Sequence, residues 1–172
     1  VNNHRFDSNF NVFMSRRLFL TPVAGEIYTD KFQNIDYRAT FGAGVGYYLW
    51  RQSKFDFFLQ LGGAYQSIQY ISVQPGEDQR TDNGAIVPVL AIEWDITSDI
   101  EFDFSYNSQI GVPEPKNTFH YLFALLSLEL SDYLDLDTSI QWNHNENPVA
   151  DADGKVPKRD DYRLSVGLGV DI

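Results

Sequence analysis

No cysteine occurs in the 172 residues, which removes disulfide frameworks, thiol nucleophiles and Cys-type zinc sites together. Basic residues are scarce: 13 Lys and Arg stand against 24 Asp and Glu, for a formal net charge of −11. That balance argues against a nucleic-acid partner, because phosphate binding needs a basic surface. Long apolar runs are missing as well. The longest, Tyr121 to Leu130 (YLFALLSLEL), falls far short of the roughly 18 uncharged apolar residues of a membrane-spanning helix. The chain opens at Val1 without a signal peptide, so a leader removed or an N-terminus trimmed is expected. What is abundant is aromatic: 10 Tyr and 13 Phe are too many for disorder. The length suits one domain with a core of its own.

The dominant pattern has period two. From Ile35 the odd positions read Ile35, Tyr37, Ala39, Phe41, Ala43, Val45, Tyr47 and Leu49, against Asp36, Arg38, Thr40, Gly42, Gly44 and Gly46. The same alternation runs through Ile100–Tyr106, Leu134–Trp142 and Tyr162–Ile172, and no comparable helical repeat occurs. Nine strands are expected, at 4–14, 17–29, 34–49, 55–72, 84–97, 99–110, 118–130, 133–144 and 161–172. Pro22 and Glu26 weaken the second. The fold class is all-β, an antiparallel up-and-down barrel occupying 1–172 as a single domain.

Connections alternate in length. Ser15-Arg16, Arg51 to Lys54, Ser98-Asp99 and Ser131-Asp132 are short, whereas Gln74 to Asn83, Gly111 to Asn117 and Asn145 to Asp160 are long and polar. Short turns at one end and long loops at the other mark a transmembrane barrel with periplasmic turns and external loops. A soluble lipocalin-like barrel would carry the same alternation with its apolar rows inward. Two belts of aromatics favour the membrane reading, since such rings sit at headgroup level. Tyr47, Trp50, Phe55, Phe57, Trp94 and Phe102 lie at the short-turn end, and Tyr106, Phe119, Tyr121, Trp142 and Tyr162 at the loop end. Strand parity adds one expectation. A closed bacterial barrel has an even strand count and returns both termini to the periplasm, so a ten-stranded barrel lacking its N-terminal strand ahead of Val1 is predicted.

The stretches Tyr133–Trp142 (YLDLDTSIQW), Asn147–Gly154 (NPVADADG), Asp160–Gly169 and Arg38–Tyr47 (RATFGAGVGY) resemble the salt-induced outer-membrane protein family. The resemblance covers most of residues 35–172. It implies a bacterial outer-membrane β-barrel without an established biochemical activity, in contact with membrane lipid and lipopolysaccharide. The last six residues, Gly167–Ile172, resemble the C-terminal signal read by barrel-assembly machinery, although Ile172 replaces the usual Phe.

The candidate site is electrostatic. Asp56, Glu93, Asp95, Glu101, Asp103, Glu129, Asp135, Asp137 and Asp171 are expected on the lumen face near the periplasmic end, where an acidic ring favours cations. Arg16, Arg17, Arg51 and Lys54 in the turns partly offset them. Arg5, Arg38 and Arg163 are expected toward the opposite end, beside Asp7, Asp36 and Asp161. Asp151 and Asp153 begin a calcium-loop pattern but lack its later acids, so a turn explains them better than a metal. His120 and His144, near the outer mouth with Asp160 and Asp161, keep an outer-membrane hydrolase open as an alternative, without a Ser nucleophile motif or H-E-x-x-H spacing. A barrel binding partners through its 145–160 loop is the third reading. No cofactor is implied, the expected reading is non-enzymatic, and no particular protein partner is indicated.

Overall fold

The computed structural model describes residues 3–131 and 133–170. Among them nine strands form one antiparallel sheet in simple chain order: β1 (Asn3–Phe13), β2 (Leu18–Asp30), β3 (Ile35–Gln52), β4 (Phe55–Tyr70), β5 (Arg80–Asp95), β6 (Ile100–Val112), β7 (Phe119–Ser131), β8 (Leu134–Asn145) and β9 (Asp160–Val170). All nine expected strands are present. The main shift is at β5, which starts at Arg80 rather than 84 and shortens the preceding loop. Strands of 11 to 18 residues match or exceed the roughly 9–11 that a tilted strand needs to cross a hydrocarbon layer.

The sheet curls on itself. Gln109 on β6 donates to Glu26 on β2 at 3.0 Å, and Arg5 on β1 donates to Asn143 on β8 at 2.8 Å, so these side chains meet across a concave interior. The two faces are the reverse of a soluble core. Thr21 and Gln66 are fully buried and Glu26, Arg38, Asn83 and Gln109 nearly so, whereas Phe6, Phe41, Leu61, Leu164 and Val166 lie exposed on the convex side.

Several bulges break the alternation, one of them between Glu129 and Ser131, and three bear on the interior. One lies between Thr21 and Ala24, around Pro22, where a missing amide costs least. Another, between Ile35 and Tyr37, turns Ile35 inward and leaves Asp36 exposed. The expectation of Asp36 on the lumen face is corrected accordingly. The third lies between Tyr48 and Trp50 and puts Arg51 in register with Asp56, inside β3 rather than in the turn. At the β2–β3 connection the Asp30 carboxylate accepts from the amides of Phe32 and Gln33, and Asn34 takes the left-handed conformation at φ 59°. Asn tolerates that conformation better than most residues.

Candidate functional site

The interior is layered from the short-turn end to the loop end. At the short-turn end, on β1–β4, Phe13, Phe19, Tyr48 and Phe58 form a cluster with ring centroids 5.3–6.3 Å apart. The Arg51 guanidinium lies 4.5 Å from the Tyr48 ring centre and 4.6 Å from that of Phe13, and donates to the Arg16 carbonyl at 2.7 Å. Gly46 makes this possible: a Cβ there would sit 2.0 Å from Phe19 Cζ.

Around the rest of that end the register gathers carboxylates. Asp56 pairs with Glu93 and Glu93 with Asp103, a row of three acids on neighbouring strands. Asp95 faces Glu101 and Glu129 faces Asp135. Ser127 donates to Asp137 at 2.6 Å. Cross-strand partners stand about 5 Å apart, so the acids of each row repel one another. Asp171 lies outside the described residues.

Above them is a cavity of about 280 Å³, reached by Gln60, Ser105, Asn107, Gln109 and Tyr121 and widened by Gly42 and Gly62, which have no side chain to fill it. Its roof is a charged plug. Glu26 accepts from both Arg5 and Arg38, the latter at 2.8 Å, and from Gln109. Gln109 accepts from Thr40 at 3.0 Å and Gln66 at 2.8 Å, and Asn83 joins through Gln66 and Asn117. Both guanidiniums also lie over rings: Arg5 is 3.8 Å from the centre of Tyr121, and Arg38 is 4.1 Å from that of Phe119.

The outer end is capped. Tyr28, Ile35, Ile68, Tyr70 and Phe119 are buried together, with Val73 and Val149 packed on them. The β8–β9 loop is strapped over this cap: Asn34 Nδ2 donates to the carbonyls of Ser72 (2.7 Å) and Val149 (3.3 Å), and the Ala152 amide donates to Ser72 Oγ (3.2 Å). Asp151 serves the loop itself, its carboxylate accepting from the amides of Asp153 and Lys155 at 3.0 and 2.9 Å.

Two expected placements change. Tyr121 and Phe119 are not belt residues. Both face inward beneath arginines; 121–126 is apolar on both sides, so its pattern does not reveal which side is interior. The remaining aromatics, Tyr47, Trp50, Phe55, Phe57, Trp94, Phe102, Tyr106, Trp142 and Tyr162, lie on the convex face. There Trp50 stacks on Phe57, and Tyr106, His120, Trp142 and Tyr162 form a near-parallel ladder across β6–β9. His144 Nδ1 is 2.8 Å from Asp160, and His120 Nδ1 is 2.8 Å from the Tyr106 hydroxyl. These imidazoles have hydrogen-bonding partners, but on the convex wall rather than in a mouth. Arg38 lies in the plug. Arg163 donates instead to Asn3, beside Asp161.

Sequence reasoning missed the hub, Glu26, along with Gln109 and Gln66. Register supplies the signal: Glu26 lies opposite both Asp7 and Thr40, at an interior position of a strand whose convex side is apolar.

A family model described as "Protein of unknown function, DUF481" matches residues 1–172. The solved structure described as "NanC porin structure in rhombohedral crystal form" is similar at a TM-score of 0.60 and 7% identity, over 99% of this chain and 79% of that one. At that identity the likeness is one of fold. No curated protein matches.

Proposed function

The chain belongs to the DUF481 family, and from that premise we propose that it is a pore-type β-barrel of the bacterial outer membrane, non-enzymatic, passing small solutes and favouring cations. The observation that carries the reading is the inversion of its faces. Gln66, Arg38, Glu26 and Gln109 are buried inside while Leu61, Leu164 and Val166 stand exposed outside. In water that arrangement would leave the apolar rows wet, whereas in a bilayer they meet acyl chains while the polar groups pair with one another inside. The porin-like fold supports the same class.

Cation preference follows from Asp56, Glu93, Asp103 and their neighbours at the short-turn end, since fixed carboxylates draw cations and repel anions at close range. Arg51 offsets only part of that charge. The path is narrow, because small barrels are largely filled by their own side chains, and here the Arg5–Glu26–Arg38 plug and the strap form its tightest part. A role in salt or osmotic response fits such a conduit and belongs to the same proposal, as do contact with lipopolysaccharide and insertion by barrel-assembly machinery. A hydrolytic role for His120 or His144 gains no support from imidazoles on the convex wall.

The test is reconstitution in planar bilayers under a KCl gradient. A reversal potential on the potassium side is expected, and it should move toward zero in the triple variant Asp56→Asn, Glu93→Gln, Asp103→Asn. Equal passage of K⁺ and Cl⁻, or no conductance, would overturn the proposal.

A further inference from the structure

We infer that the interior chamber beneath the plug binds an uncharged cyclic polyol of monosaccharide size. The inference deepens the pore reading by naming a class of solute and rests on it for access to the chamber, whereas binding itself is measurable without conduction.

One wall of the chamber is built by four neighbouring strands in register. Gln60 on β4 lies opposite Val89 on β5, Val89 opposite Asn107 on β6, and Asn107 opposite Tyr121 on β7. Next to that row, toward the short-turn end, Phe58, Ala91 and Ser105 form a second one. Both rows border the same space of about 280 Å³.

This wall has two characters. Phe58, Val89 and Ala91 present a ring and aliphatic carbon, while Gln60, Ser105, Asn107 and Tyr121 present amides and hydroxyls. An ion gains nothing from the aliphatic part, and a hydrocarbon leaves the amides unanswered. A sugar ring carries both kinds of surface, with C–H groups on its faces and O–H groups around its edge. Small-molecule pockets share this make-up, apolar walls with a few placed polar groups.

The polar groups are also uncommitted to the plug. There, Gln109 is taken up by Glu26, Thr40 and Gln66, and the four polar groups of the wall have no part in those bonds. Asn107 Oδ1 is buried with no partner, so this amide has a bond to gain by turning toward a ligand. Amides and hydroxyls both donate and accept, and a sugar hydroxyl answers in either sense. Bare backbone at Gly44 leaves room for the Gln60 amide, since a Cβ there would stand 3.0 Å from Gln60 Nε2.

Charge around the chamber balances. Two arginines and one glutamate make the plug +1, and Asp7, which also borders the space, contributes −1. Their sum is zero, so the chamber selects neither anions nor cations. The acidic rows lie beyond it, with Asp103 two residues before Ser105 on β6.

The test is equilibrium dialysis of radiolabelled D-glucose, D-galactose and myo-inositol against the protein in detergent micelles, alongside planar-bilayer recording. At least one of the three is expected to show a saturable site. Its fully O-methylated form should bind tenfold weaker or worse, and glucuronate and glucosamine should bind no better than it does. Asn107→Leu and Ser105→Ala should each weaken binding tenfold or more, with Gln60→Met as a further variant should either fail to fold by heat-modifiable gel mobility. Absence of saturable binding by all three would overturn the inference. So would equal binding of the methylated form, a preference for a charged analogue, or unchanged affinity in folded variants. Polyol binding in a protein that passes no current upholds the inference and sinks the pore reading; current without polyol binding does the reverse.

Discussion

Replacing Glu26 with Gln tests whether the plug is dry. The carboxylate serves Arg5, Arg38 and Gln109, and its side chain is 9% exposed, beside 14% for Arg5 and 3% for Arg38. Wild type holds two cations and one anion at this hub, so Glu26→Gln raises its local charge from +1 to +2 at nearly constant shape. Arg38 Nε already lacks a partner, so the plug has little spare capacity to absorb the change. Removing one member of a buried ion pair costs about 3–5 kcal/mol. With a urea slope of about 2 kcal/mol/M, the unfolding midpoint should fall by about 1.5–2.5 M. The assay is urea unfolding from lipid vesicles, followed by the fluorescence of the 3 tryptophans and by heat-modifiable gel mobility. The double variant Glu26→Gln, Arg38→Met returns the local charge to +1 and should recover more than half of the loss. A single-variant cost below about 1 kcal/mol would refute the reasoning, because the guanidiniums would then be solvated by a water-filled lumen rather than held by Glu26.

Other changes separate packing, orientation and access. Gly46→Ala should cost about 1–3 kcal/mol in the same unfolding assay by displacing the Phe19 ring. Gly63→Ala, whose added Cβ meets nothing within 4 Å, should be near neutral, and equal effects would contradict the tight fit at Phe19. Leu61→Arg, on the convex face, should lower stability in vesicles by about 2–4 kcal/mol if it lies near the bilayer midplane. A neutral result would mean that this face does not meet lipid. Replacing 148–156 with a short Gly-Ser linker removes the strap and should raise single-channel conductance; an unchanged value would place the strap off the conduction path.

The convex face was the legible one. Its residues share one apolar environment, so Phe41, Val45, Tyr47 and their counterparts repeat with little interruption, and nine strands follow from that repeat. The interior is heterogeneous, and its partners come from non-adjacent strands: Glu26 with Gln109, Arg5 with Asn143. Such pairs exist only once the sheet has curled, and linear spacing does not encode them. Bulges hid the rest. A one-residue slip reverses every side chain beyond it, which is why Asp36 emerged outside and Arg51 inside. The inward side of Tyr121 is not legible in a segment greasy on both sides.

The reach of Arg5 to Asn143 has a consequence for assembly. The two residues stand 138 positions apart, on the first and the eighth strands of the sheet. Until the eighth strand arrives and the ribbon rolls up, Arg5 and Arg38 reach Glu26 on the strand between them but keep water on the sides that Asn143, Tyr121 and Phe119 later cover. Shedding that water and rolling up are then a single event. The interior acts as a latch that catches only when the cylinder is nearly round, and a polypeptide stalled short of that point should remain pliable and open to proteases.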